Sequence, residues 1–290
     1  MNYKNILALL LIVTALFSCK KSDRIVDDPQ QGTITFAVDE SFKSVAEALS
    51  QRYMALNPKT KINLTIQKED LAFLDLMDKK VRVIVMSREL SAEEKAAYKK
   101  KIDMDVLPAK FAADAVVFIV PKNSTRESIS IEELKNELSS NEKKVIFDGT
   151  NSSNLNFVAQ KLNLKPNQLK FSVINGNKNL IQEMNQYPDK IGVISLNSIS
   201  RPYDKESQDL KNSVKILPVV SANKSFEPSI ENVRDMSYPF TRTLYFLTNE
   251  AYYGLGNGLI RFSCQQLGQI VVQKEGLQPY YIIKREVQMR

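Results

Sequence analysis

Residues 33–58, TITFAVDESFKSVAEALSQRYMALNP, pass from a strand pattern through a short polar turn into a helix pattern, and this change of period decides the fold. Residues 33–38 alternate and are β-branched, as a half-buried strand requires. From Phe42 onward Val45, Ala46, Leu49 and Tyr53 recur at helical spacing, and Asn57-Pro58 stops the run. Asp39, Glu40 and Ser41 form the turn between them. In an open α/β sheet, ligands bind beyond the carboxyl ends of the strands, so this turn is the first place to look for a site. Unpaired N–H groups at a helix start favour an exposed anion by roughly 0.3–1 kcal/mol.

Outward from that unit, strand and helix patterns alternate. Residues 61–67 and 81–86 read as strands and residues 71–77 as part of a helix. Ser91 and Glu94 form a capping box for a helix running to about residue 101. Residues 113–120 are a nearly continuous apolar strand, and Ser130 with Glu133 caps another helix. Residues 145–147 form a short strand that ends in DGTNSSN (148–154). Leu155, Val158, Ala159 and Leu162 then return to helical spacing, which makes a second strand–turn–helix unit. Residues 171–174, 191–196, 214–220 and 243–248 are further strands, with a helix at 180–184 between the first two. Residues 201–213 are polar and read as a surface loop. Residues 258–275 read as one long final helix, stopped by Gly276 with Pro279 beyond it. The pattern is α/β, with mixed sheets and helices on both faces.

The first eighteen of the 290 residues stand apart. Lys4 precedes an apolar run over residues 6–17, and Leu16-Phe17-Ser18-Cys19 follows. This is the pattern of a secretory signal ending in a lipobox, too short for a membrane span, with Cys19 as the lipidated residue. An ordinary signal peptide cleaved nearby, or an uncleaved anchor, is the alternative. Residues 19–32 then read as a lipidated tether, which places the protein in the cell envelope, anchored to a membrane.

The net charge of +7 suits an anionic ligand or a membrane surface, although the lysine runs also fit solvated helix ends. No basic-plus-aromatic nucleic-acid motif occurs. The sequence has no histidine, so Ser-His-Asp and Cys-His catalysis and His-based metal sites are excluded. No Gly-rich nucleotide loop is present, and nothing calls for a cofactor. With Cys19 acylated, Cys264 has no intrachain partner and reads as a small core residue.

The carboxyl-end turns supply the candidate ligand-binding residues. These are Ser41 and the amide of Phe42 in the first turn, Ser87 and Arg88 after the third strand, and Ser152, Ser153 and Asn154 in the second unit. Each serine can instead cap its own helix. Arg88 can grip an anion bidentately, or be neutralised by Glu89 or Glu93. Arg242 fits a structural ion pair with Asp114 better than a ligand contact.

The ordered segments of this chain also resemble phosphate-type periplasmic solute-binding proteins of ABC transporters. The resemblance is carried by Tyr53 with Asn57-Pro58, by Ser87-Arg88-Glu89-Leu90-Ser91, by Ala113 to Val120 and by Ile191-Gly192-Val193-Ile194-Ser195. Tyr238-Pro239-Phe240-Thr241-Arg242 and the final Gly268-Gln269-Ile270-Val271 with Gly276-Leu277-Gln278-Pro279 complete it. It implies a two-lobed type II binding-protein fold with two hinge crossings. Residues 33–112 plus 237–290 would form lobe one and residues 113–236 lobe two. It also implies a small phosphate-like anion in the gap, an ABC permease as partner, and no enzymatic activity. The sequence departs from the family at two turns. Val38-Asp39-Glu40-Ser41 replaces a glycine-rich turn, and Asp148 stands where an arginine is expected, four residues before Ser152-Ser153-Asn154. Two other readings remain open: a non-transport envelope lipoprotein that uses the same scaffold for protein interaction, and an acid-catalysed hydrolase with two inward carboxylates.

Overall fold

The computed structural model of this chain describes residues 28–281. The expected signal segment, Cys19 and most of the expected tether lie outside the described residues. Strand β1 (Gln31–Val38) leads through a single 3-10 turn (Glu40–Phe42) into helix α1 (Lys43–Leu56). Strand β2 (Lys59–Ile66) pairs in parallel with the whole length of β1, from Gln31↔Lys59 to Val38↔Ile66. Helix α2 (Glu69–Met77), strand β3 (Val83–Met86) and helix α3 (Ala92–Ile102) complete the first repeat, and the capping box between Ser91 and Glu94 is formed.

Strand β4 (Ala109–Pro121) carries the chain from one lobe to the other. A short strand β5 (Ile129–Ser130) precedes helix α4 (Ile131–Ser139), which is capped by Ser130 and Glu133 as expected. Strand β6 (Val145–Phe147), helix α5 (Ser153–Lys161), strand β7 (Ser172–Val173), helix α6 (Asn177–Glu183) and strand β8 (Ile191–Ser195) build the second lobe. After them come helix α7 (Lys205–Ser213), strands β9 (Val214–Leu217), β10 (Val219–Ser221) and β11 (Lys224–Phe226), and helix α8 (Ile230–Arg234). Strand β12 (Thr241–Thr248) returns to lobe one, followed by helices α9 (Leu255–Cys264) and α10 (Gln266–Lys274) and strand β13 (Gln278–Pro279).

The main sheet has the order β2-β1-β3-β12-β4-β8-β6-β7, with β9 and β13 also paired to β4. Residues 109–115 of β4 pair with β12, while residues 116–121 pair with β8 and β9, so one strand belongs to both lobes. Alternation along β1 sorts the lobe-one core into two layers. Ile34, Phe36 and Val38 face α1 and α9, whereas Ala37 faces α2 and α3. Burying side chains the size of Phe36 and Leu49 contributes roughly 1.5–3 kcal/mol each. Lobe two has its own core around Phe118, Phe147, Val158 and Ile194, and Tyr238 and Phe240 at the second crossing pack into it.

Three expectations change. Residues 205–213 form a helix rather than a loop, capped by the Asp204 carboxylate on the Ser207 amide. The run 214–220 is divided at Pro218, because proline has no N–H to continue the ladder. The expected single helix over 258–275 is two, broken at Gln265, whose backbone is extended. Here the chain doubles back tightly: a Cβ on Gly268 would lie 2.3 Å from the Phe262 carbonyl oxygen. Gln269 holds the corner by donating to the Phe111 and Ser263 carbonyls at 3.0 and 2.7 Å.

Candidate functional site at the lobe boundary

Each strand of the first repeat ends at the gap between the lobes and hands over to a helix start there. Asp39 follows β1 and caps the 3-10 turn: its Oδ1 accepts the Ser41 amide at 3.0 Å. Its Oδ2 accepts the Glu69 amide, the first of α2, at 3.2 Å, and the Ser153 amide, the first of α5 in the other lobe, at 3.1 Å. Backbone N–H groups from three separate turns and both lobes therefore converge on one carboxylate, and Asp39 is fully buried.

Around that point lies a shell of neutral polar groups. Ser41 does not cap its own helix, since Asp39 does so, and its hydroxyl is turned toward lobe two. The Ser41 Oγ accepts from Ser153 Oγ at 3.2 Å, Asn177 Nδ2 at 3.1 Å and Asn154 Nδ2 at 3.4 Å. Asn177 also receives the Ser195 amide on its Oδ1 and donates to Asp148 Oδ2 at 3.2 Å. Asn154 Oδ1 accepts from Arg242 Nη2 at 2.9 Å.

Charge is concentrated here. Lys68 of lobe one donates to the Asp148 carbonyl of lobe two at 2.8 Å and lies 3.7 Å from Asp148 Oδ2. Its side chain crosses Gly149, where an added Cβ would meet Lys68 Cε at 2.6 Å and where φ is +151°, a position suited to glycine. Burial, and then the negative charge of Asp39, lift the Asp148 carboxyl to about 6, against the pull of Lys68 and Ser152. Burial likewise pushes Glu69 up to about 7, opposed by Arg88 and the Ser87 hydrogen bond.

The seven sequence candidates divide into two groups. Ser41, Ser153 and Asn154 meet at the lobe boundary. Ser152 performs the capping alternative, accepting the Leu155 amide while donating to Asp148 Oδ1 at 2.8 Å. The Phe42 amide bonds back to the Asp39 carbonyl, and its ring lies 4.7 Å beneath the Arg242 guanidinium. Ser87 gives both its amide and its hydroxyl to Glu69 Oε1, at 2.6 and 2.8 Å. Arg88 is held by acids other than those expected. Glu94 takes it bidentately at 2.7 and 2.8 Å, Asp70 at 3.0 Å, and Glu69 lies 3.6 Å away. With its fork so engaged, Arg88 ties α2 to α3.

Asp39, Lys68, Glu69 and Asn177 were not among the sequence candidates. Position after a strand was available as a signal for the first three, and Gly176 before a helix for the fourth.

Direct contacts hold the lobes together. Asp70 donates its amide to the Asn151 carbonyl and accepts from Asn156 Nδ2 at 2.8 Å, and Gln160 exchanges two 2.9 Å bonds with the Glu89 backbone. Behind them the two crossings are locked by Arg242 and Asp114, the pairing expected from sequence. An open groove of about 1030 Å³ borders this interface, with Ser87 and Arg88 on one side and Phe157, Gln160 and Lys161 on the other. Among the described residues no group of Cys, Asp or Glu could hold a metal ion, and no helix is long and apolar enough to cross a membrane.

Residues 26–266 match the model of the PBP superfamily domain. The phosphate-binding protein PstS of Borreliella burgdorferi is 24% identical over 294 residues, covering 93% of this chain and 96% of that protein. Among solved structures, one from Clostridium perfringens, described as a phosphate ABC transporter substrate-binding protein with bound phosphate, superposes with a TM-score of 0.68. It is 19% identical and covers 86% of this chain and all of its own. An ABC-type phosphate transport receptor from Vibrio cholerae gives a TM-score of 0.64 at 16% identity, with 86% and 100% coverage.

Proposed function

This chain belongs to the PBP superfamily, and from that premise we propose that it is an extracytoplasmic solute-binding protein for a small oxyanion of the phosphate class, handing its solute to an ABC permease. The observation that carries this reading is the convergence of the Ser41, Glu69 and Ser153 amides from both lobes on a single buried acceptor. Backbone N–H groups at helix starts are a general means of holding oxyanions, and donors from both lobes can act together only when the gap is closed. A solute that makes those contacts is held in the closed form, which is the form a permease can read. The phosphate-binding relatives point to the same solute class.

The ligand set proposed from the geometry is Ser41, Glu69 through its amide, Ser153, Asn154 and Asn177. Arg88 and Ser87 support it from behind through Glu69. The lobe boundaries stay at 33–112 plus 237–290 and 113–236, with Tyr238 and Phe240 packed on lobe two. No step in this reading is catalytic. Cys19 is the lipid-bearing residue in this reading and anchors the folded part to a membrane.

Isothermal titration with inorganic phosphate, after unfolding and refolding to remove co-purified anions, tests the reading. Saturable one-site binding that is lost in Ser153→Pro, which removes the lobe-two amide, is expected. Absence of binding heat with phosphate would exclude it. The rival reading, an envelope lipoprotein using the scaffold for protein interaction, is favoured by one observation: the gap is spanned by the chain's own side chains. That reading expects no saturable heat with phosphate or any other small solute.

A further inference from the structure

The closed gap is held by a negative charge that the chain itself supplies. As a cap for its own turn, Asp39 needs only the bond from the Ser41 amide. The other two bonds come from Glu69, 30 residues away, and Ser153, 114 residues away, and they have no capping role for that turn. Together the three amides are the donors that an oxyanion in this cleft would need. A carboxylate and a phosphate-class anion present the same thing to them, charged oxygen acceptors at hydrogen-bond distance. They cannot both occupy the position, because the same N–H groups would be shared and two like charges would meet inside a buried region. Two further carboxyls, Asp148 and Glu69, are fully buried nearby, with Lys68 3.7 Å from Asp148 and Arg88 3.6 Å from Glu69, so an additional anion beside Asp39 would meet carboxyls whose cations are already engaged.

We propose that Asp39 is an internal anion seated in the oxyanion position of the cleft, closing the lobes without solute and setting the affinity for phosphate-class anions by competition. A solute enters by exchange: the Asp39 side chain leaves the Glu69 and Ser153 amides as the incoming oxygens take them. Asp39 is thus the residue that determines how strongly the site discriminates against anions in general. The identity of the displaced solute rests on the function proposed above. The seat itself rests only on the three bonds.

The test uses the full chain and its Asp39→Ala and Asp39→Asn variants, with inorganic phosphate and sodium formate as probes. In D39A, phosphate is expected to bind about tenfold or more tighter than in the parent, which corresponds to about 1.4 kcal/mol. Scattering of D39A without added anion should show separated lobes, and formate, which replaces the missing carboxylate, should compact them and compete with phosphate. The parent should be compact throughout. D39N keeps an oxygen for the Ser41 amide but no charge, so its phosphate affinity should fall between the other two.

Phosphate affinity in D39A equal to or below that of the parent overturns the proposal, because Asp39 would then be a neutral bystander or a partner of the solute. A D39A protein that stays compact and ignores formate overturns it as well. Compaction by formate with no phosphate binding in any of the three proteins supports the internal anion and rejects phosphate as the solute. If D39A does not fold, D39N decides: affinity above the parent supports the proposal, and affinity equal or below overturns it.

Discussion

Removing the Arg242 guanidinium should loosen the hinge, by an amount that follows from its buried contacts. Arg242 and Asp114 have fully buried side chains on the two strands that cross between the lobes, paired opposite each other in β12 and β4. Arg242 Nε and Nη2 reach Asp114 Oδ2 at 3.0 and 2.8 Å, and Nη2 also reaches Asn154 Oδ1. The guanidinium lies over the Phe42 ring, with Phe157 at 5.8 Å. In Arg242→Met the stem volume is largely kept, but Asp114 stays buried with only the Ser195 hydroxyl and Asn197 amide as partners. Leaving a buried charge without its counter-charge costs about 3–5 kcal/mol.

In R242M with Asp114→Asn the charge is gone from both sides. Ser195 and Asn197 can still bond to the amide, so most of that loss should return, giving a coupling of about 2–3 kcal/mol in a double-mutant cycle. The assay is urea unfolding followed by circular dichroism, with unchanged slope required for the comparison. A cost below about 1 kcal/mol in R242M, or a double variant as unstable as the sum of the two single changes, would refute the reasoning.

The buried carboxyls give a pH dependence of definite sign. Glu69 at about 7 and Asp148 at about 6 lie above their ordinary values of 4.5 and 3.8, so the folded chain retains protons that the unfolded chain has released. Their contribution is complete below the ordinary values and is lost as pH rises through the folded ones. Parent minus Glu69→Gln stability should therefore fall between about pH 5 and pH 8, and a difference that rises over that range contradicts the assignment. Gln269→Ala removes the clamp on the corner between α9 and α10 and should cost about 1–3 kcal/mol, seen as a lowered thermal midpoint; an unchanged midpoint shows the corner is held by packing alone. Cys19→Ser should move the protein from the detergent to the aqueous phase on phase partitioning, while persistence in detergent would assign the anchoring elsewhere.

What could be read from sequence was where local and global preferences agree. The β1–α1 unit, the apolar crossing strand, both capping boxes and the Arg242–Asp114 pair all follow from patterns confined to a few residues or from one unmatched buried charge. Helix α7 was illegible because Leu210 is its only buried apolar residue, so it has no apolar stripe to detect, and Asp204 alone marks its start. The break at Gln265 leaves helical spacing intact on either side and depends on a distant carbonyl, that of Phe111.

Within the site, the serine-bearing turns were visible, but the role of each serine depends on neighbours from the other lobe. Ser41 and Ser152 look alike in sequence. In the fold the first faces Asn177 and Ser153 across the gap, and the second caps its own helix. Arg88 read as either an anion grip or a partner of Glu89 or Glu93, whereas its actual partners, Asp70 and Glu94, come from two different helices. Asp39 read as a departure from the family's turn, and only the register between the lobes reveals its three donors.

The most direct test is to locate a bound anion. Crystals of Asp39→Ala grown with arsenate, an anomalously scattering phosphate analogue, should show one strong anomalous peak whose oxygens lie about 2.7–3.2 Å from the Ser41, Glu69 and Ser153 amides. A peak in the outer groove beside Lys161, or none at the lobe boundary, would contradict an oxyanion seat built from those three helix starts.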